Sequence, residues 1–273
     1  MLLIIVHEHF TSIEEKTFCN TELRKVVIPS CVTKIGPYAF NNCTEIVELF
    51  IPSSVTEICK NAFENCLNLK TVKIERPSSL KLIDDHSFAD CSTLINFEFP
   101  NSLEKVSETA FENCIAITQI SLPASEGIFG LNNFETCISL TKAILHPKTE
   151  HISSFLFYGC SSLIDITIPN SVKSIEDNAF NKCSSLANLY IPNSVVNIGD
   201  FAFNECRSLV RIVLPDSLDK INEYVFSGCS SLIEVVIPPS VVTISTGAFY
   251  GCSSLPAINL PHNLRFIGFY AFN

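Results

Sequence analysis

The sequence predicts a mainly β solenoid, a stack of about 11–12 coils of 23 residues with a parallel sheet and short 3₁₀ turns. Three observations predict it. A phenylalanine followed three residues later by a cysteine recurs ten times, from Phe40/Cys43 and Phe63/Cys66 through to Phe249/Cys252. Those phenylalanines are 23 residues apart throughout, except for one spacing of 25 before Phe88. Proline follows the same apolar triplet in coil after coil, at Pro29, Pro52, Pro100, Pro123, Pro169, Pro192, Pro215, Pro238 and Pro261. A period in the twenties defines a unit too small to bury its own apolar face, so like must stack on like.

Residues Leu163–Cys183, LIDITIPNSVKSIEDNAFNKC, serve as the type unit. Leu163, Ile166 and Ile168 are apolar at spacings of three and two, repeated as Leu186/Leu189/Ile191 and Leu209/Ile212/Leu214. The alternation Leu189-Tyr190-Ile191 is a strand signal. Proline, with no N–H and a fixed φ, then ends the strand and turns the chain. Val172 and Ile175 mark a second short strand, echoed by Val55/Ile58, Val195/Ile198, Leu218/Ile221 and Val241/Ile244. The next residue is Gly36, Gly130, Gly199 or Gly268, or a small polar one such as Asp84, Asn222 or Ser245, types suited to a left-handed or tight turn. Ala-Phe and two polar residues then lead to Cys, closing the coil as a turn of 3₁₀ helix.

The unbroken period predicts one repeat array over residues 1–273, roughly 50 to 55 Å long at about 4.8 Å per coil. It is irregular near 75–77, where Arg76-Pro77 lengthens a turn, and over 124–151, where Glu126 and Thr149 occupy the Val ladder and His146 is inserted. An unpaired Glu126 does not belong in a core, so that loop is expected to bulge outward, as a decayed repeat or a specialised binding loop. At the ends, Met1, Ile4 and Val6 fall on strand positions and Asn273 lies one residue past a ladder Phe. No polar cap is visible, so the array reads as a fragment of a longer one, or as covered at its ends by another chain.

Composition narrows the function. At 47% apolar and 17% charged residues the chain can bury a large core. A net charge of −10 with pI about 5.1, and no basic stripe, argues against nucleic acid and against anionic membrane surfaces. No apolar run reaches the roughly 18 residues that span a bilayer, so no direct membrane insertion is expected within the segment.

Ten of the thirteen cysteines fall on one ladder position. Stacked neighbours lie about 5 Å apart, but parallel Cβ vectors do not suit the torsion of near 90° that a bridge requires. They are read as buried free thiols acting as small hydrophobes. Cys19, Cys31 and Cys59 lie off the ladder, with Cys31 the most exposed. Without a CxxC pair, zinc is not expected, and His7-Glu8-His9 reads as a solvated turn. His86, His146, His151 and His262 belong to no nucleophile motif, and phosphate loops are absent. Catalytic residues, cofactors and metals are therefore all read as none.

The consensus LxxIxIPxSVxxIxxxAFxxCxx resembles the BspA-like leucine-rich repeats, the treponemal type of the leucine-rich repeat superfamily. Period, Pro, Ala-Phe and Cys all agree along essentially the whole chain. The resemblance implies a curved, right-handed solenoid with a parallel sheet on one face. It also implies binding to protein partners, as in surface antigens and adhesins that contact host proteins or other cells.

If the LxxIxI strands form the sheet, the residues between the buried ones face outward. In the C-terminal half these include Ile144, Tyr190, Arg211, Val213, Glu234 and Val236, an apolar row with an aromatic and an Arg of the kind interface cores favour. Two readings follow: a non-catalytic cell-surface adhesin or antigen-like module, and an intracellular scaffold for protein–protein interaction, which free cysteines and the lack of a signal-like start favour.

Overall fold

The computed structural model describes residues 2–5 by backbone alone and residues 10–123 and 129–273 in full. Met1, Val6, the His7-Glu8-His9 cluster and Glu126 lie outside the described residues. The chain forms two compact units, Met1–Leu140 and Thr141–Asn273.

In the first unit, strands Glu48–Ile51 and Thr71–Ile74 pair in parallel, with Leu49 opposite Val72 and Phe50 opposite Lys73. The second short strand of each coil builds a five-stranded parallel sheet from Ser12–Ile13, Lys34–Ile35, Glu57–Ile58, Leu82–Ile83 and Lys105–Val106. In the second unit, Lys142–Ile144 pairs with Asp165–Thr167 and Arg211–Val213 with Glu234–Val236. Its short strands pair as His151–Ile152, Ser174–Ile175 and Asn197–Ile198, and as Lys220–Ile221, Thr243–Ile244 and Phe266–Ile267. Each residue thus stacks on its equivalent one period away. A β-branched residue faces inward at nearly every such place, which is why the two-residue strands that follow the prolines hold their register.

The core is built from ladders. Leu163, Leu186, Leu209 and Leu232 are fully buried in the second unit, as are Leu23, Ile46, Leu69 and Leu94 in the first. The phenylalanine rings stack at centroid distances of 5.1 to 5.8 Å, from Phe18 to Phe134 in the first unit and from Phe157 to Phe272 in the second. Phe97 and Phe99 replace the strand isoleucines of their coil and meet Phe111 at 4.7 and 5.4 Å, making an aromatic cluster beside the ladder. All thirteen cysteines are free, and Cys31 is half-buried, as is Cys19.

The coil-closing segment departs from the 3₁₀ expectation. It is a run of hydrogen-bonded turns, with no 3₁₀ helix among the described residues. Around Phe40 the amides of Ala39, Asn41 and Cys43 reach back three residues, to the carbonyls of Gly36, Tyr38 and Phe40. The intervening amides of Tyr38, Phe40 and Asn42 instead donate along the stack to Lys60, Ala62 and Glu64 of the next coil. A 3₁₀ helix needs every amide to turn back on its own coil. Half of them are spent on the neighbour, and left-handed φ values at Tyr38 (55°) and Asn42 (57°) undo the helical path after each turn.

The left-handed places are therefore two before and two after the ladder Phe. Gly36 and Gly199, expected to supply a left-handed turn, have ordinary φ. They are glycine because a Cβ at Gly199 would lie 2.5 Å from the Asp177 backbone nitrogen of the preceding coil. Arg76-Pro77 is a cis peptide within the lengthened turn. In the irregular stretch Thr149 sits half-buried in the Val row, and His146 opens a turn closed by the Thr149 amide at 2.9 Å.

Candidate functional site

The outward sheet face of Thr141–Asn273 carries the candidate residues. Strand pleating sends Ile166, Ile212 and Val235 into the core and their neighbours outward. One outward row runs Lys142, Asp165, Asn188, Arg211, Glu234. Lys142 Nζ lies 2.6 Å from Asp165 Oδ2 and Arg211 Nε lies 2.8 Å from Glu234 Oε2, so the charges of this row are paired along the stack. Asn188 bridges to the Arg211 strand in parallel register. The second outward row runs Ile144, Thr167, Tyr190, Val213, Val236, all exposed, with Tyr190 the most exposed of its large apolar side chains at 69%. Val213 stands opposite Val236. Of the sequence-derived residues, Arg211 and Glu234 are thus an ion pair, Val213 and Val236 are neighbours, Tyr190 is one coil away, and Ile144 lies two coils beyond Tyr190.

A third row was not foreseen. Ile164, Ala187, Val210 and Ile233 follow the buried ladder leucines directly, and Ile164 is 60% exposed. The amides of Val210 and Ile233 bond the carbonyls of Ala187 and Val210, at 3.1 and 2.9 Å, which stacks this row as regularly as the others. The signal was present in the sequence as an apolar pair, Leu163-Ile164, Leu209-Val210, Leu232-Ile233, whose second member has no inward place in the pattern. The face therefore presents a polar, internally ion-paired row between two apolar rows. Such an arrangement suits a protein surface: aliphatic and aromatic side chains offer area to bury, and the paired charges set orientation rather than supply raw affinity.

Three sets of side chains bear on catalysis. Thr109 Oγ1 lies 3.0 Å from His86 Nδ1, and His86 Nε2 lies 3.9 Å from Glu112 Oε2, but the hydroxyl also donates to the Glu108 carbonyl at 2.6 Å, which commits its proton to the backbone. Ser174 Oγ lies 2.8 Å from His151 Nδ1 and also hydrogen-bonds the Glu176 carboxylate. An activated nucleophile needs the imidazole between hydroxyl and carboxylate. Here the hydroxyl is in the middle, so the group ties two coils together. The ladder thiols are the third set. Burial pushes Cys137 up to about 12 and holds Cys66, Cys114, Cys183 and Cys229 well above the ordinary thiol range, opposite to what a nucleophilic thiolate requires. Among the described residues no three His, Cys, Asp or Glu side chains come together as a metal site. No helix among them is long and apolar enough to cross a membrane.

Comparison with known proteins agrees with the repeat architecture. The family described as the BspA type leucine rich repeat region matches over residues 11–141, 73–187 and 150–273. Among solved structures, the chain is similar to a leucine-rich repeat protein from Bacteroides ovatus, at 29% identity and TM-score 0.61, over 87% of this chain and 78% of that one. It is also similar in fold to the pneumococcal vaccine antigen PcpA, at 18% identity and TM-score 0.56, over 97% of this chain and 73% of that one. No curated protein sequence matches. Repeat, register and family match meet on one assignment, that of a repeat module for protein interaction: the chain belongs to the BspA-type leucine-rich repeat family.

Proposed function

We infer that this chain is a non-catalytic protein-binding module of a cell-surface adhesin, contacting host or neighbouring-cell proteins through the outward sheet face of residues 141–273. Ile144, Tyr190, Arg211, Val213, Glu234 and Val236 form the centre of that contact. The observation that carries the reading is the pair of exposed apolar rows flanking an ion-paired one, with an aromatic and an Arg on adjacent coils. The surface setting rests on the family resemblance. A second reading, an intracellular scaffold using the same face, is favoured by the free thiols, because half-exposed Cys19 and Cys31 suit a reducing compartment.

Antibody labelling of intact and permeabilised cells separates the two. Labelling of intact cells, with adhesion blocked by added soluble chain but not by the same chain carrying Tyr190→Ala and Arg211→Ala, is the expected result. Labelling only after permeabilisation refutes the adhesin. Equal blocking by wild type and variant refutes the face.

A further inference from the structure

The polar row has a property that neither its composition nor its pairing required. In stack order its charges are plus at Lys142, minus at Asp165, none at Asn188, plus at Arg211 and minus at Glu234. Reversing the order inverts every sign. We propose that the partner of this face is a second copy of the same chain, docked antiparallel about a two-fold axis that runs along the extended Asn188–Tyr190 segment, which is joined to its neighbour by the Asn188 bridge. The proposal rests on the reading of the face as a protein-binding surface and names its partner.

The geometry follows from the period. An axis in the interface, parallel to the strands, reverses the stack and leaves every row facing its own copy. Lys142 then meets Glu234 of the second copy and Asp165 meets Arg211 of the second copy, each contact occurring twice by symmetry. Each Lys142–Asp165 pair and the opposing Arg211–Glu234 pair close into a square of alternating sign, built from ion pairs already in place at 2.6 and 2.8 Å. In the apolar row Tyr190 meets its own copy on the axis, Val213 meets Thr167, and Val236 meets Ile144. In the third row Ile164 meets Val210.

The register is selective. A shift of one coil in either direction opposes Lys142 to Arg211, or Asp165 to Glu234, and a shift of two opposes Asp165 or Arg211 to itself. An axis along the stack instead sets every charge against its own kind. Like charges in apposition suppress those alternatives, so one docking stands out from the set a periodic surface would otherwise permit. Because the contact is isologous it closes at two copies. The matched face is five coils wide, about 19 Å between its outer strands at roughly 4.8 Å per coil.

Sedimentation velocity across the micromolar to millimolar range tests this with a charge swap. Wild type is expected to dimerise, more weakly as salt rises. Arg211→Glu and Asp165→Lys, measured singly, should each weaken self-association at least about tenfold, since each places two like-charged contacts in the interface. Mixed one to one, the two variants restore the dimer, because every contact between them is again of opposite sign. That recovery also demonstrates that both are folded. A wild type that stays monomeric overturns the proposal, as does a mixture of thermally normal variants that stays monomeric. The underlying reading has its own readout. If wild type is monomeric but Tyr190→Ala still abolishes capture of a different protein, self-association falls and the binding face stands. If capture survives Tyr190→Ala and Arg211→Ala as well, both fall.

Discussion

The ladder phenylalanine carbonyls of Phe40, Phe63, Phe88 and Phe111, and of Phe157, Phe180, Phe203 and Phe226, each receive two donors. Phe180 O accepts the amide of Cys183 at 3.0 Å and the thiol of Cys206, from the next coil, at 3.2 Å. The same thiol contact recurs from Cys66 to Phe40 and from Cys229 to Phe203. Cysteine suits the position because it fills an apolar site as a small hydrophobe and still offers a weak donor to the carbonyl's second lone pair. The proton that makes this bond is held tightly. Burial raises the thiols, to about 12 at Cys137, whereas unfolded thiols titrate near about 8.5. A group whose folded value is raised contributes stability that is complete below the unfolded value and is lost as pH rises toward the folded one. Stability should therefore be flat in these thiols up to about pH 8. Above about pH 8.5 the ladder thiols should begin to lower stability, because the unfolded thiols lose their protons while the buried ones keep theirs, and Cys137 should go on doing so up to about 12. Urea melts at stepped pH check this, and a chain whose stability rises from pH 8 to 10 would contradict it. Thiol titration should likewise find few reactive groups in the native protein and nearly thirteen after non-reducing denaturation; fewer than about half would mean disulfides. In the neighbouring ladder, Phe203→Ala should cost on the order of 3–5 kcal/mol.

The coil-closing element is the least helical-looking part of a helical expectation, and it shows where sequence patterns stop. Two places after each ladder Phe the residue is left-handed, and the sequence says so with Asn42, Asn65, Asp90, Asn113, Gly228 and Gly251. Two places before it the backbone is equally left-handed, yet Phe155, Phe201 and Tyr224 stand there. Nothing local favours that conformation for an aromatic residue. It is imposed by the bonds along the stack, such as Tyr224 N–H to Thr246 O at 3.0 Å, which no single coil contains. The rings repay it partly by stacking, Phe201 on Tyr224 at 4.9 Å, and Gly247 leaves room for them. Asn65→Ala, at φ 59°, should cost about 1–2 kcal/mol in urea unfolding while Asn65→Gly stays close to wild type. Equal costs would mean that side-chain contacts rather than backbone conformation set the preference. The strands were legible because their period of two matches the pleat. The third outward row was not, because its residues lie at the corner between ladder leucine and strand, outside the alternation.

At the scale of the molecule, a solenoid's stability is a sum over neighbours. Within residues 141–273, amide exchange should be slowest in the coils around Phe203, packed on both sides, and fastest around Phe272, where Phe269 and Tyr270 are exposed. Uniform protection across those coils would mean that they open only together. Periodicity makes the architecture readable from sequence and, for the same reason, hides function: every coil offers the same scaffold, so meaning resides only in what varies at the outward positions. The apolar row was visible there. The ion pair that occupies Arg211 and Glu234, and the sign inversion of the polar row, emerge only when the coils are set in register. The most direct test of the central claim is oxidative footprinting of tyrosines in the free chain and in its complex with whichever protein crosslinking recovers, this chain included. Tyr190, on the sheet face, and Tyr250, on the coil-closing turns, are both exposed and so report on opposite readings within one molecule. Several-fold protection of Tyr190 with Tyr250 unchanged is the predicted result; protection of Tyr250 with Tyr190 still freely oxidised would contradict it.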